Sequence, residues 1–472
     1  MSGIRAADLR LVLPRPPSRV AVDPDEAAWA SAVAELGIAA GPGDDPDLAV
    51  TAEPLGAGAP MTLTSGRVAR RALRTAGYAV ERILVRPGPE GPRLALPLGN
   101  PVAARLAFAA QRPTERGLPA ARRAAARVGA GFGVAPGVAI TTLATRIPGP
   151  PFPLAAASVH GADATGGWVA WFGDGDDIQR VVLHAIPAGA TAPTTIVKVG
   201  RVPGYTAAFD ADATGLGLLA AHAPSAARHA PRILGRFDVA DLAGSVETAA
   251  PGPTLNLVLD AEGDRALPHV DRILAWIIDL GVASRGDRGA LRPELERLAT
   301  DVIGAYDGID AAPDGALLGP LAEVPPVLAH RDVGSWNVAV DGTAFTVLDW
   351  ESAAYPSIPL WDTAYLLADA CSSVDGPAPI DRKVSRIAAL FAGEHRMSRY
   401  AFDHLRTAAA ALDVPASAIG PAVVTGWLHH GRSRASRAVR AGRLPVAEGL
   451  INRVAARWLD DPALGLRWRL PA

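Results

Sequence analysis

Apolar positions in the first hundred residues come in short bursts broken by turn residues. Arg19–Val22 and Asp47–Thr51 are strand-like runs, and Ala79–Arg86 and Arg93–Leu98 follow them. After the first run, Asp23 and Pro24 offer an N-cap and a proline at the first helical position for a helix over Asp25–Leu36, closed by Gly37. Thr64 or Ser65 caps a further helix through Ala76, closed by Gly77. Strand and helix in alternation predict a small α/β domain with a parallel sheet over residues 1–110. Residues 111–155 are rich in Arg, Ala, Gly and Pro and end in Ile147-Pro-Gly-Pro-Pro-Phe-Pro153, a pattern that predicts a linker.

From about residue 156 the pattern changes. Trp168–Phe172, Arg180–Ile186 and Thr194–Val199 are short runs rich in Val, Ile and Trp, separated by turn-forming stretches, and they predict an antiparallel meander. Helical spacing follows over Asp210–His222, with strands over Pro231–Phe237 and Thr254–Leu259. Val270, Ile273, Leu274, Ile277 and Ile278 then fall at i, i+3, i+4, i+7 and i+8 after Pro268, in a helix ended by Gly281. Residues 291–306, 360–370, 383–393 and 418–440 read as helices. A β-rich lobe at 156–258 therefore precedes an α-rich lobe at 259–472, giving an α+β chain.

Composition narrows the functional classes. The net charge of −2 gives no electrostatic reason to expect nucleic acid or an anionic membrane as partner. One cysteine, Cys371, excludes a disulfide framework and a cysteine-ligated metal cluster. The first thirty residues carry charge and proline instead of a signal peptide's apolar stretch, and no run reaches 18 apolar residues, so a cytoplasmic location is expected. Lysine occurs only at Lys198 and Lys383, so a lysine kept in this arginine-rich chain marks a place for a compact, rotatable ammonium.

Candidate chemistry is densest at His330-Arg-Asp332-Val-Gly-Ser-Trp-Asn337, followed by Val347-Leu-Asp349-Trp-Glu351. With ten histidines and four asparagines, His-x-Asp-x-x-x-x-Asn arises by chance in on the order of one such chain in a hundred or fewer. Phosphoryl transfer needs positioning and charge neutralisation more than covalent chemistry. An aspartate can orient a hydroxyl and take its proton, while an asparagine and a second aspartate offer the oxygen ligands that Mg²⁺ prefers. Val338–Val340 and Phe345–Leu348, joined through Asp341-Gly342, predict a hairpin ending at that second aspartate.

At these residues the chain resembles the aminoglycoside phosphotransferase and choline kinase family of the protein-kinase-like superfamily, closely over the catalytic loop and metal strand and loosely over 165–440. The resemblance implies a bilobal kinase-like fold and ATP- and Mg²⁺-dependent transfer of the γ-phosphoryl group to a hydroxyl or amino group of a small molecule. It makes Asp332 the catalytic base, Asn337 and Asp349 the metal ligands, and His330 and Asp362 supports of the loop. It places Lys198, in Thr194-Thr-Ile-Val-Lys-Val199, on the α- and β-phosphates. The lysine's expected partner is an acid on the next helix, Asp212, with Asp210 as the other candidate. Arg331 stands where small-molecule kinases usually carry glycine, which leaves the substrate class open.

Other features qualify this picture. Gly173-Asp-Gly175-Asp-Asp177 lies where a phosphate-covering loop belongs, but its aspartates favour a solvent-exposed hairpin turn, and Gly161–Gly167 is an alternative loop. Residues 1–110 resemble a methyltransferase-type Rossmann domain, yet Asp23-Pro24-Asp25-Glu26 has no glycine and repels phosphate, so a cofactor there is not expected. Cys371 is expected as an apolar contact. His429-His430 lacks a spaced acidic or thiol ligand, and the basic stretch Arg432–Arg443 is a solvated face or an anion-binding one. Two alternatives remain beside the phosphotransferase. One is a nucleotide-binding interaction protein without turnover, the other a methyltransferase built on the N-terminal domain.

Overall fold

A computed structural model describes residues 4–41, 44–51, 59–64, 70–88, 91–109, 118–134, 139–173, 176–306, 312, 314–440, 449–460 and 468–471. The chain divides into two compact units. The first comprises Met1–Gln111, Glu115–Phe209 and Arg232–Ala249; the second comprises Arg112–Thr114, Asp210–Pro231 and Ala250–Ala472.

The first unit is built on one eleven-stranded sheet. Its strands are β1 (Val20–Val22), β2 (Leu48–Val50), β3 (Met61–Thr64), β4 (Ala79–Pro87), β5 (Pro92–Pro97), β6 (Ala139–Thr145), β7 (Gly167–Trp171), β8 (Val181–Ile186), β9 (Thr195–Val199), β10 (Ile233–Val239) and β11 (Leu242–Thr248). Their spatial order is β1-β2-β3-β6-β4-β5-β7-β8-β9-β11-β10. Among the described strands, β1, β2 and β3 pair in parallel and the other pairings in this sheet are antiparallel. The parallel arrangement expected for the N-terminal region is thus confined to its first three strands. The expected linker at 111–155 contains β6, which sits between β3 and β4. Its run Ala139-Ile-Thr-Thr-Leu-Ala-Thr145 has the β-branched content of a strand, overshadowed by the Gly/Pro-rich flanks.

Side-chain alternation buries this sheet on both faces. Ile83, Val85 and Ala95 belong to one core with Leu11, Trp29, Leu183 and Val197. Leu84, Leu94 and Leu96 point the other way, against Ala103, Ala104 and Ala107 of the helix Pro101–Ala109. The meander β7-β8-β9 has the expected antiparallel register, with Ala170 opposite Leu183 and Leu183 opposite Val197. Asp23 is not an N-cap: its Oδ1 accepts the Asp25 amide at 3.1 Å, and the helix starts later, at Ala27–Glu35. Thr64 ends β3, Ser65 lies outside the described residues, and the helix there is described over Arg70–Thr75.

The second unit is mainly helical. Its longest elements are Leu267–Ser284, Trp361–Ser373, Ile380–Ala392, Ser398–Ala411 and Ala416–Arg440. Two small antiparallel pairs complete it: β12 (Val327–Ala329) with β15 (Ala354–Ser357), and β13 (Val338–Asp341) with β14 (Ala344–Val347). Thr254–Leu259, expected as a strand, is instead the start of the helix Leu255–Glu262. Leu255, Val258 and Leu259, at i, i+3 and i+4, enter the core, overriding the alternating Leu255, Leu257, Leu259. Gly281 does not end its helix; a Cβ there would meet Leu412 Cδ2 at 2.7 Å, so the glycine marks a close helix approach. Among the described residues no single helix is long and apolar enough to cross a membrane.

Candidate active site

β12 ends at Ala329, and the motif His330-Arg331-Asp332 leaves the strand into a tight loop with Arg331 at φ +64°. One carboxylate anchors that turn. Asp362, near the start of the helix Trp361–Ser373, accepts the His330 amide on Oδ2 at 2.7 Å and the Arg331 amide on Oδ1 at 2.8 Å. A second carboxylate on the same helix, Asp369, accepts the Ser335 amide at 2.8 Å. Asp362 and Asp369 are seven residues apart, two helical turns, so one helix face grips the loop at both ends. Asp362 has the loop-supporting role expected of it, and Asp369, at i+7 on the same helix, is a second support not singled out by the motif.

His330 is fully buried. Its Nδ1 accepts the Asp332 amide at 3.3 Å, so Nε2 carries the proton and donates to the Leu348 carbonyl at 3.0 Å. Burial lowers its basicity despite nearby Asp362, Asp349 and Asp212. A neutral imidazole therefore ties the loop to the end of β14, one residue before Asp349. Asn337 closes the other side. Its Nδ2 donates to the Asp332 carbonyl at 2.8 Å and to Asp332 Oδ2 at 3.1 Å, and the Leu348 amide donates to the Asn337 carbonyl at 2.7 Å. The hairpin β13–β14 turns at Gly342, φ +57°, as the Asp-Gly pair predicts.

Asp332 is half-buried. Burial first, then the negative charges of Asp349 and Glu351, push its carboxyl up to about 7 against the opposing pull of Arg434 and the Asn337 hydrogen bond. Such a group exchanges protons near neutrality.

Asp349 follows in a left-handed turn, φ +64°, and the Trp350 amide is held by the helix Ala207–His222, whose backbone also passes close to the Trp350 carbonyl. Asp212 Oδ1 accepts the Trp350 amide at 2.9 Å. Gly215, one turn on, lies so close to the Trp350 carbonyl that a Cβ would sit 2.1 Å from its oxygen. The expected role of Asp212 was to pair with the lysine; the contact seen in the second unit is this backbone anchor. Arg331 is also fully engaged. Its Nε donates to Ser357 Oγ at 2.9 Å, its Nη2 to Glu294 Oε1 at 2.7 Å, and its guanidinium lies 5.2 Å from the Trp361 ring centroid. Burial opposes ionisation of Glu294, yet hydrogen bonds from Arg297 and Arg331 hold it below the usual carboxylate range.

In the first unit, Lys198 is opposite Ser245 on β11, and Glu247 lies diagonally across on the same face. The lysine Nζ and Glu247 Oε1 are 2.9 Å apart, both side chains nearly buried. Spacing points to an acid on the following helix, whereas Glu247, 49 positions downstream, is brought alongside only by the β9–β11 register. The 173–177 loop also differs from expectation. Asp174 and Gly175 lie outside the described residues, but Asp177 is buried. Arg201, itself buried, donates to the Phe172, Asp176 and Gln179 carbonyls and, through Nε at 2.9 Å, to Asp8 Oδ2. Arg5 donates to the Gly173 carbonyl. On the described flanks of this turn, carbonyls bind a buried guanidinium.

Cys371 is buried and its thiol is pushed up to about 12, as an apolar contact requires. His429 stacks on Trp361 at 4.8 Å and His430 on Tyr365 at 4.0 Å.

Comparison with known proteins adds one decisive result: residues 191–400 match the phosphotransferase enzyme family. That segment resembles the phosphotransferase family. It contains Lys198, Asp212, His330, Asp332, Asn337, Asp349 and Asp362. Similar solved structures include a thermostable mutant of aminoglycoside phosphotransferase APH(4)-Ia in ternary complex with ADP and hygromycin B. It is 16% identical, with TM-score 0.36 over 60% of this chain and 92% of that one. Another is a glucosamine kinase in complex with glucosamine, ADP and inorganic phosphate, 15% identical, with TM-score 0.36 over 67% of this chain and 85% of that one. No curated protein matches the chain. The phosphotransferase match does not reach residues 1–190.

Proposed function

We propose that the protein is an ATP- and Mg²⁺-dependent phosphotransferase that moves the γ-phosphoryl group to a hydroxyl, or amino group, of a small molecule. The observation that carries this reading is the 330–337 loop, in which Asp332 is positioned by Asn337 and braced by three buried partners, His330, Asp362 and Asp369. Asp332 orients the acceptor hydroxyl and takes its proton. The new O–P bond forms as the bond between the β-bridging oxygen and the γ-phosphorus breaks, and ADP leaves with the electron pair. Lys198, held by Glu247, pairs with the α- and β-phosphates.

The donor set suits magnesium. Asn337 uses its amide nitrogen on Asp332, which leaves its oxygen for a metal, and Asp349 supplies a carboxylate. Among the described residues no group of three or more His, Cys, Asp or Glu is placed to hold a metal. Mg²⁺ does not need one, since it binds through one or two side-chain oxygens, phosphates and water. When bound it supplies charge neutralisation on the phosphates.

The test is ADP release from ATP and Mg²⁺, with and without acceptor, in the wild type and in Asp332→Asn. Loss of acceptor-stimulated release in the variant, and on chelation of the metal, is expected. An Asp332→Asn enzyme that turns over at the wild-type rate removes Asp332 as base.

A further inference from the structure

The helix Ala416–Arg440 carries Trp427, His430, Arg434 and Arg437 at spacings of three and four, so they share one face. Three of the four are tied to the candidate site. Trp427 packs at 5.4 Å from Tyr365, and His430 stacks on the same ring at 4.0 Å and 17°. Tyr365 in turn meets Trp336 of the 330–337 loop at 5.9 Å. Arg437 Nη1 donates to Glu351 Oε1 at 3.1 Å, two residues past Asp349. Arg434 lies between these anchors.

Its state differs from that of its neighbours. Arg432 donates to the Asp301 carbonyl at 3.1 Å and Arg437 to Glu351, whereas Arg434 is exposed and makes no ion pair or hydrogen bond among the described residues. Its charge is felt by Asp332, Tyr365 and His430. Tyr365 is buried, and burial together with the Asp332 charge keeps its phenol protonated. His430 is buried and neutral. Among the described residues, then, this helix face carries beside Asp332 no formal charge other than Arg434 and the paired Arg437.

We propose that Arg434 receives an anionic group, a carboxylate or a phosphate, on the hydroxyl compound that is phosphorylated. This rests on the phosphotransferase reading and names the substrate class for it. A guanidinium offers a planar fork of donors suited to either oxyanion, and a cationic acceptor would meet repulsion at the same place. A charge that only tuned Asp332 would act equally on every acceptor.

The experiment is acceptor-stimulated ADP release, above release to water, with hydroxyl compounds in four sets: sugar acids and hydroxy acids, sugar phosphates, neutral sugars and polyols, and amino sugars and amino alcohols. The stimulating compounds are expected in the first two sets, and which set responds separates carboxylate from phosphate. For the best of them, Arg434→Gln should raise KM at least tenfold while kcat changes less, and Arg434→Lys should restore part of the loss. A neutral or cationic compound as best acceptor overturns the proposal. So does an unchanged KM in Arg434→Gln, or stimulation by no set while the wild type still releases ADP to water. A wild type that releases no ADP under any condition counts against the phosphotransferase reading instead.

Discussion

The two units hold their buried charges in different ways. In the first, side chain meets side chain: Lys198 with Glu247 across β9 and β11, and Arg201 with Asp8 between residues 193 positions apart. In the second, beside the buried Arg331–Glu294 pair, carboxylates also hold backbone: Asp362 takes two successive amides, Asp369 one, and Asp212 one. A buried ion pair offsets its own desolvation and leaves a costly orphan when one partner is removed. A carboxylate that caps backbone amides fixes the path of the chain, and with it the side chains the loop presents. Glu247 and Asp8 of the first unit therefore serve cohesion, while Asp362 and Asp369 of the second aim a loop.

That contrast can be broken by substitution, the largest effect first. Asp332→Asn should cost about 10²–10⁴-fold in kcat, the usual contribution of a positioned base, with little change in thermal unfolding. Asp8→Asn should do the reverse. It leaves Arg201 and Arg10 buried without their counter-charge and should cost about 3–5 kcal/mol, read as earlier denaturant unfolding. Hydrogen exchange would place the loosening in the first unit. If Asp8→Asn unfolds no earlier than wild type, the cohesive role of these pairs is wrong.

Gly215→Ala sharpens the comparison at a middle scale. The added Cβ collides with the Trp350 carbonyl, and relief by backbone shift should cost about 1–3 kcal/mol. Because Asp349 precedes Trp350, kcat/KM should fall by more than stability alone accounts for, read from activity at a temperature where the variant is fully folded. Equal kcat/KM would show that the turn tolerates displacement.

The smallest effect expected is in the pH profile. With its carboxyl pushed up to about 7, Asp332 is protonated and inactive as a base below that pH, so kcat/KM should climb as pH rises through neutrality. Bound Mg²⁺, being positive, moves the inflection downward. Arg434→Gln removes a favourable positive neighbour and should move it upward. For stability the sign is opposite: a carboxyl raised above its unfolded value of 3.8 binds its proton more readily when folded. Its contribution to stability is therefore lost as pH rises toward about 7. A profile flat from pH 5 to 9 would contradict the assignment.

What the sequence disclosed follows the same division. The 330–349 motif was legible because its chemistry is local: loop, hairpin and both aspartates lie within twenty residues, and the Asp-Gly turn dictates how they fold together. Asp362 was reachable through the family resemblance. Glu247, Asp8 and Arg201 were not, because their meaning comes only from strand register or from a chain segment far upstream. Asp212 was singled out as the lysine's partner, and the backbone contact it makes with Trp350 cannot be read from spacing. At the described flank of the 173–177 turn, Asp177 is buried although glycine and aspartate predict exposure, and Arg201, which binds the Asp176 carbonyl, lies beyond β9.

The position of β6 has a practical consequence for anyone trimming the gene. Composition invites a cut near residue 150, yet the chain has by then already passed back between β3 and β4, and β5 lies hydrogen-bonded to β7. A fragment starting after that point would carry β7 with a bare row of amides and carbonyls along one side, the kind of border at which chains stick to one another.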